Sequence, residues 1–334
     1  MSDLIVVFGG SGFVGRHVVR ALAKAGKRVR VGLRRPHLGH ELRVMGDVGQ
    51  IQLAQANVRY PDSIATALEG AGGVVNLVGV LAENGKQNFS ALHIEAARAI
   101  AEAAAARGIE RLVHVSALGA VSPDKGRDVS RYGLSKYAGE RAVLAALPQA
   151  VILRPSIIFG PEDGFFNRFA AMARLMSALP LGALPLIGGG KTKFQPVFVG
   201  DVADAVCAGL DQASARGRVF ELGGPRVYSF AELMRFILDE TDRRVPLLSI
   251  PFFIAHPLGL LLEWAFKLIP FADPPLTGDQ VTQLKADNIV GFDASAGTIA
   301  DLGVTTLESV EAITPAYLWR FRPHGQFQAK RTAV

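Results

Sequence analysis

The chain is almost free of cysteine: Cys207 is the only one in 334 residues. An intramolecular disulfide is thereby excluded, and a reducing compartment suits the composition. Cys207 falls in an apolar helical pattern, so a small core residue is expected there rather than a nucleophile. Acidic side chains are scarce at the front of the chain. Over residues 1–59 only Asp3, Glu41 and Asp47 face Arg16, Arg20, Lys24, Lys27, Arg28, Arg30, Arg34, Arg35, Arg43 and Arg59. They are absent after Trp319, where Arg320, Arg322, Lys330 and Arg331 remain. With a net charge of +6 overall, this uneven excess attracts anionic partners. No nucleic-acid motif accompanies it, so no nucleic-acid partner is expected, and no metal site is expected either. Internal repeats and low-complexity stretches are lacking. The first strand begins at residue 4, so no leader is expected and a bacterial cytosolic face is the simplest home. What is present is an ordinary globular composition, 49% apolar and 20% charged. It is long enough for one large α/β unit or a nucleotide domain with a smaller lobe.

The densest signal is Gly9-Gly10-Ser11-Gly12-Phe13-Val14-Gly15, directly behind the five apolar residues Leu4–Phe8. Strand, glycine turn and an amphipathic helix over 16–25 follow in the order a dinucleotide site requires. Gly9 permits a tight turn, Gly12 lets the backbone approach a pyrophosphate, and Gly15 lets helix and strand pack closely. The helix start offers free N–H groups and the positive end of its dipole. Which nucleotide binds is set after the second strand, residues 29–33. An NAD site places Asp or Glu there for the ribose 2′-hydroxyl. Here Arg34 and Arg35 stand instead, with no carboxylate until Glu41. Arginine holds a 2′-phosphate bidentately and stays charged at any working pH, so NADPH is favoured over NAD. Asn57, with Val58 beside it, is placed to reach the adenine edge. Asn76 and Gly79 end the fourth strand, where the cofactor crosses the sheet; Asn76 equally suits a capped polar position within the sheet.

Short apolar strands at 4–8, 29–33, 51–54, 73–78, 111–115 and 151–153 alternate with helices, among them 93–107 and 132–146. That alternation predicts an α/β fold, a doubly wound parallel sheet of the Rossmann type, with a smaller C-terminal lobe. A nucleotide domain is expected over 1–160, rejoined by 193–225, where 194–198 and 219–222 read as strands and a helix runs from 201 to about 213. Residues 161–192 and 226–330 form the lobe and a docking tail, with a helix near 166–176.

A second constellation is Tyr132-Gly133-Leu134-Ser135-Lys136. Four residues apart on a helix, Tyr132 and Lys136 share one face. A nearby ammonium stabilises a phenolate, which lets the tyrosine act as general acid or base beside a hydride-transfer carbon; Lys136 also suits the nicotinamide ribose hydroxyls. Together these residues resemble the extended short-chain dehydrogenase/reductase family. The matches are Gly9, Gly12 and Gly15; Asn57-Val58 with Pro61-Asp62; Tyr132 and Lys136; Arg154-Pro155 with Phe159-Gly160-Pro161; and Phe198 through Val202 leading into a helix. The resemblance implies a cofactor held by Gly9, Gly10, Ser11, Gly12, Phe13, Val14, Gly15, Gly79, Ser116, Pro155 and Ile158 besides Arg34, Arg35, Asn57, Val58, Tyr132 and Lys136. In an active member, Tyr132, Lys136 and Ser116 would be catalytic. Two positions depart from the family: Asn57 replaces the usual Asp, and Leu118 stands where active extended members carry a working hydroxyl. Ser116 lies two residues earlier on the strand. Losing that donor removes a polarising hydrogen bond that is worth ~2–4 kcal/mol of barrier.

The C-terminal third sharpens the resemblance. Pro275-Leu276-Thr277-Gly278-Asp279-Gln280-Val281 precedes 284–290, and Tyr317-Leu318-Trp319-Arg320-Phe321-Arg322 follows. This arrangement is similar to an atypical branch of the family, the NADPH-binding accessory subunits of respiratory complex I and their bacterial relatives. The likeness implies a tightly held NADPH without turnover, peripheral-arm subunits as partners, and a peripheral place on the cytoplasmic face of the bacterial inner membrane. An active reductase, epimerase or dehydratase on a hydrophobic small molecule is the alternative, and a free sensor of the NADPH/NADP⁺ ratio a third. Residues 250–271 are long and apolar, but Pro251, Pro257, Glu263, Lys267 and Pro270 interrupt them, against a spanning helix. They read as a buried lobe helix or as a surface docking on a partner or at a membrane boundary. Tyr317 to Phe321 read equally as a docking motif or as a helix end packed on its own lobe.

Overall fold

The structure, a computed structural model, describes residues 3–83, 85–122, 130–266 and 276–327. Eight parallel strands make the central sheet: β1 Leu4–Phe8, β2 Arg28–Leu33, β3 Ile51–Gln55, β4 Gly73–Asn76, β5 Leu112–Val115, β6 Val151–Pro155, β11 Val219–Leu222 and β14 Gly297–Thr298. Their order is β14-β11-β6-β5-β4-β1-β2-β3. The order reverses where β1 lies between β2 and β4. In an open α/β sheet, the crevice beyond the carboxyl ends at such a point is where ligands bind. Helices α1 (Phe13–Lys24) and α6 (Val199–Asp211) cover one face, burying Val18, Leu22, Val202 and Val206 against the strands. On the other face lie α2 (Pro61–Ala67), α3 (Ala96–Ala105) and α4 (Arg131–Ala146), with Ile64, Ile100 and Val143 inward. The fold class expected from the alternating pattern is the one observed.

Boundaries differ where side chains compete with the backbone ladder. The fourth strand stops at Asn76 rather than residue 78, because the Asn76 Oδ1 accepts the Val78 N–H at 3.1 Å. The helix expected over 93–107 is preceded by a π-helical turn, Ser90–Glu95, which turns His93 inward. The first helix begins at Phe13, three residues before the apolar periodicity becomes readable. The strand expected over 194–198 is split, since Pro196 has no N–H to give a ladder. It becomes β9 Lys193–Phe194, antiparallel to β12 Tyr228–Ser229, and β10 Val197–Phe198, parallel to β7 Ile158–Phe159. The edge strand β14 is too short to show a pattern in the sequence.

The lobe gathers α5 (Phe166–Met176), β8 (Leu184–Ile187) paired with β13 (Leu247–Ile250), α7 (Phe230–Thr241), α10 (Val310–Ile313) and α11 (Pro315–Leu318). Helix α7 opens with a reciprocal cap between Ser229 and Glu232. Its core is aromatic: Phe165 meets Phe169 at 5.0 Å between ring centres and Phe166 at 5.4 Å. Edge-to-face pairs of this kind add to the gain from burial itself.

Helix α8 (Phe252–Phe266) corrects one expectation. It is not a buried lobe helix, for only Ala255 and Gly259 are buried, while Phe253, Leu261 and Trp264 are 78%, 60% and 63% exposed. Residues 267–271 of the apolar segment lie outside the described residues. No helix among the described residues is long and apolar enough to cross a membrane. The tail is resolved by its contacts: Tyr317 and Phe321 are buried in the lobe core, Tyr317 donates to Asp163 at 2.6 Å, and Arg322 pairs with Glu240 at 3.3 Å. Tyr317, Leu318 and Phe321 are thus packed on their own lobe, while Trp319 stays 36% exposed. Lys330 and Arg331 lie outside the described residues. Cys207 is half-buried against the α1–α6 core, and desolvation pushes its thiol up to about 12, an inert position.

Candidate functional site

The turn after β1 has the geometry of an anion cradle. Gly9 has φ +84°, open to glycine and strained for other residues, and a Cβ there would sit 3.0 Å from the Leu77 carbonyl carbon. A Cβ on Gly15 would collide with the Gly9 carbonyl oxygen, so this glycine sets how closely α1 approaches β1. Gly12 is different: a Cβ there would meet only the Gly9 carbonyl oxygen at 3.4 Å, leaving open space in front of the helix. Gly12 caps α1 without any side-chain hydrogen bond, and the first turn holds no acidic residue. The Gly12 N–H donates to the Gly9 carbonyl at 3.1 Å, and the helix start beyond it, with its dipole, is left without a side-chain partner to compete with an anion. Arg16 braces the loop from behind, donating to the Ser11 carbonyl at 3.1 Å and pairing with Glu162 at 2.9 Å and Glu41 at 3.3 Å.

Arg34 and Arg35 are exposed just beyond β2. Asn57 is half-buried; its Oδ1 accepts the Arg59 N–H at 3.2 Å, closing the turn into α2, and Val58 packs on the core beneath. Asn76 belongs to the sheet interior: its Nδ2 lies 3.0 Å from the His114 Nδ1, which favours the capped polar reading.

At the ends of β4 and β5 the structure gathers Gly79, His93, Ser116, Tyr132 and Lys136. Val115 lies one residue past the last β4–β5 pair, Asn76 with His114, and its carbonyl accepts Lys136 Nζ at 2.9 Å. Lys136 is 4% exposed. A Cβ on Gly79 would stand 3.5 Å from His93 Nε2 and 3.8 Å from Lys136 Nζ. His93 accepts the Val80 N–H at Nε2, 3.0 Å, so Nδ1 carries the proton toward Ser135 Oγ at 2.8 Å. Burial, helped by the Lys136 charge, lowers His93 to about 3, so it is neutral at working pH. The Tyr132 ring stands edge-on to His93 and Phe89, at 5.5 and 5.9 Å, and burial raises its hydroxyl to about 12.

Two supports were not legible in the sequence. His93 is one. The other is Asp279, whose carboxylate accepts the Arg131 N–H at 2.6 Å and the Tyr132 N–H at 3.2 Å. It caps the helix that carries Tyr132 and Lys136 from 147 residues away. The Thr277-Gly278-Asp279-Gln280 stretch thereby ties α9 (Gly278–Gln283), which it opens with a reciprocal cap, to α4.

Lys136 carries a pH signature. Burial, opposed by Glu140, lowers its ammonium to about 8, while an unfolded lysine titrates near about 10.4. Between those values the unfolded chain binds more protons, so stability rises with pH. From about pH 8 to about pH 10 the cofactor-free protein should gain on the order of 2 kcal/mol through this group. A Lys136→Met chain should lack that gain, as urea midpoints at the two pH values would show.

A cleft of about 730 Å³ runs from this cluster into the lobe. Phe13, Val14, Ser116, Tyr132, Pro155 and Ile158 line its inner end. Ser116 Oγ is buried and has no hydrogen-bond partner among the described residues. Leu118 turns into the core instead, its N–H donating to the Pro155 carbonyl at 3.0 Å. The hydroxyl on the cleft wall is therefore that of Ser116. A second depression, about 620 Å³ around Leu4, Arg28 and Gln52, lies at the opposite, amino-terminal ends of the strands.

The residues present fit a dinucleotide: an uncapped helix start, a glycine with open space before it, basic side chains beyond β2, and an unpaired buried hydroxyl at the far end. This is a Rossmann protein with its ligand crevice at the switch point. The chain belongs to the NAD dependent epimerase/dehydratase family, whose model matches residues 5–223. It is similar to the mitochondrial NADH dehydrogenase [ubiquinone] 1 alpha subcomplex subunit 9 of Arabidopsis thaliana, 38% identical over 86% of this chain and 71% of that one. The Mus musculus subunit of the same description is 35% identical over 92% of this chain and 78% of its own length. Among solved structures, the crystal structure of gox2253 shares the fold, with a TM-score of 0.71 and 24% identity over 98% of this chain and 100% of that one.

Proposed function

We propose that this protein is an NADPH-binding accessory subunit of a respiratory complex I, docked on the peripheral arm at the cytoplasmic face of a bacterial inner membrane, and that it turns nothing over. The observation that carries the reading is the likeness to the subunit 9 chains over nearly the whole length. The dinucleotide would be held by the Gly9 to Gly15 loop, with Arg34 and Arg35 on the 2′-phosphate, Asn57 and Val58 by the adenine, and Gly79, Ser116, Tyr132, Lys136, Pro155 and Ile158 toward the nicotinamide. When bound, that ring supplies a hydride donor or acceptor. The chain's own residues do little to use it. Lys136 anchors the end of the sheet and is placed for ribose hydroxyls. Tyr132 keeps its proton, since burial holds the phenol near about 12. Leu118, where active members carry a hydroxyl, is buried, and Ser116 is left as the hydroxyl on the cleft wall. The exposed apolar side of α8 is the surface we assign to the membrane boundary or the neighbouring subunit.

One observation favours the second reading, an active reductase, epimerase or dehydratase: Ser116 and Tyr132 both line the cleft. Co-purification separates the two. From gently solubilised membranes the tagged chain should bring down respiratory-chain subunits, and Tyr132→Phe should do so equally well. Because Phe321 and Arg322 are built into the lobe, the informative truncation begins after His324. It should weaken association and spare nucleotide binding. An isolated soluble pool whose turnover disappears in Tyr132→Phe would favour the enzyme.

A further inference from the structure

We propose that the cleft between Ser116 and α8 holds one long-chain lipid with an uncharged carbonyl or hydroxyl head. This goes beyond docking on complex I and shares with that reading the nucleotide site and the exposed side of α8. The volume, about 730 Å³, falls within the usual range for small-molecule sites. Its polarity is arranged end to end. At the inner end stand Ser116 Oγ, buried without a partner among the described residues, and Tyr132, a hydroxyl that keeps its proton. An unpaired buried donor is costly, and an acceptor on the ligand removes that cost. An uncharged head suits this end, because Lys136 is turned to the Val115 carbonyl and His93 is neutral. Elsewhere the walls are mostly apolar, with Phe165, Phe169, Leu258, Leu262 and Leu276 among them, beside Arg168, Gln280, Gln283 and Asn288.

The roof points to the source of the ligand. Helix α8 turns Ala255, Leu258 and Leu262 to the cleft and leaves Phe253, Leu261 and Trp264 outside in water. An apolar helix with one side on a cavity and the other uncovered suits a lipid phase from which a chain can enter. It crosses α9 at two glycines: a Cβ on Gly259 would lie 2.9 Å from the Gly278 nitrogen. The same α9 carries Asp279, which caps the helix of Tyr132, so roof and head-group end are mechanically joined.

The test is displacement of a solvatochromic dye from the full chain by methyl ketones bearing hexyl, octyl, decyl and dodecyl chains, with NADPH binding measured on the same samples. Affinity should rise about fourfold per added methylene until the cleft is full. Leu258→Glu should weaken the decyl ketone about tenfold or more while NADPH binds as before. Leu262→Trp should shorten the longest chain accepted. Affinity independent of chain length, or an unchanged decyl ketone in Leu258→Glu with NADPH binding intact, overturns the proposal and leaves the cleft to a fused-ring ligand or a partner's side chains. If Leu258→Glu loses NADPH binding as well, Leu262→Trp decides: an unchanged chain preference overturns the proposal. Any of these failures with NADPH binding and co-purification preserved leaves the proposed function standing.

Discussion

Gly12→Ala should bind NADPH at least about tenfold more weakly, a loss of about 1.4 kcal/mol, while the cofactor-free protein melts as before. The asymmetry follows from where the new methyl goes. In the empty chain it meets only the Gly9 carbonyl oxygen, at an ordinary 3.4 Å, and the backbone at Gly12, φ −75° and ψ 174°, suits alanine. The methyl occupies the open space before the helix start, where a pyrophosphate must come close to the N–H groups. Gly15→Ala should behave differently. Its methyl collides with the Gly9 carbonyl, so α1 must move off β1 at a cost of about 1–3 kcal/mol, and melting temperature and affinity fall together. Thermal melts and NADPH titrations of the two variants separate the roles. Equal behaviour of the two would mean that the loop is a packing device without a phosphate.

Replacing Arg34 and Arg35 together by alanine should lower NADPH affinity about tenfold to a hundredfold and leave NADH unaffected. Charge-assisted hydrogen bonds to a phosphate are worth about 1.5–3 kcal/mol, and both guanidinium groups are exposed, which places them on the weaker side of that range. For the same reason the preference should shrink as salt rises. Parallel fluorescence titrations at low and high ionic strength check both statements; equal NADPH and NADH affinities in the parent chain would remove these arginines from the site.

Most of the fold was legible because its signals are local. Five apolar residues before a glycine turn state a buried strand, and the alternation that follows states a parallel sheet. Gly15 was readable for the same reason, since it answers a constraint set by Gly9 and Gly10, and Gly9 because its positive φ belongs to the turn itself, whereas its close approach to Leu77 was not readable. Asp279 and His93 were not. Asp279 caps the Tyr132 helix from a distant segment, and a capping carboxylate in isolation looks like any surface Asp. His93 sits in an alanine-rich helical stretch, and only the π-helical turn of Ser90–Glu95 rotates it against Lys136. Helix α8 misled for a physical reason too. An apolar segment states that its side chains avoid water, and what shields them has to come from elsewhere. The chain's own lobe uses one side of it.

Calorimetric titration of the purified chain with NADPH decides whether the crevice at the switch point holds a dinucleotide. Saturable binding of one nucleotide per chain is expected, tighter than for NADH and weakened in Gly12→Ala. Absence of saturable binding by either nucleotide, in a chain that melts cooperatively, would contradict it.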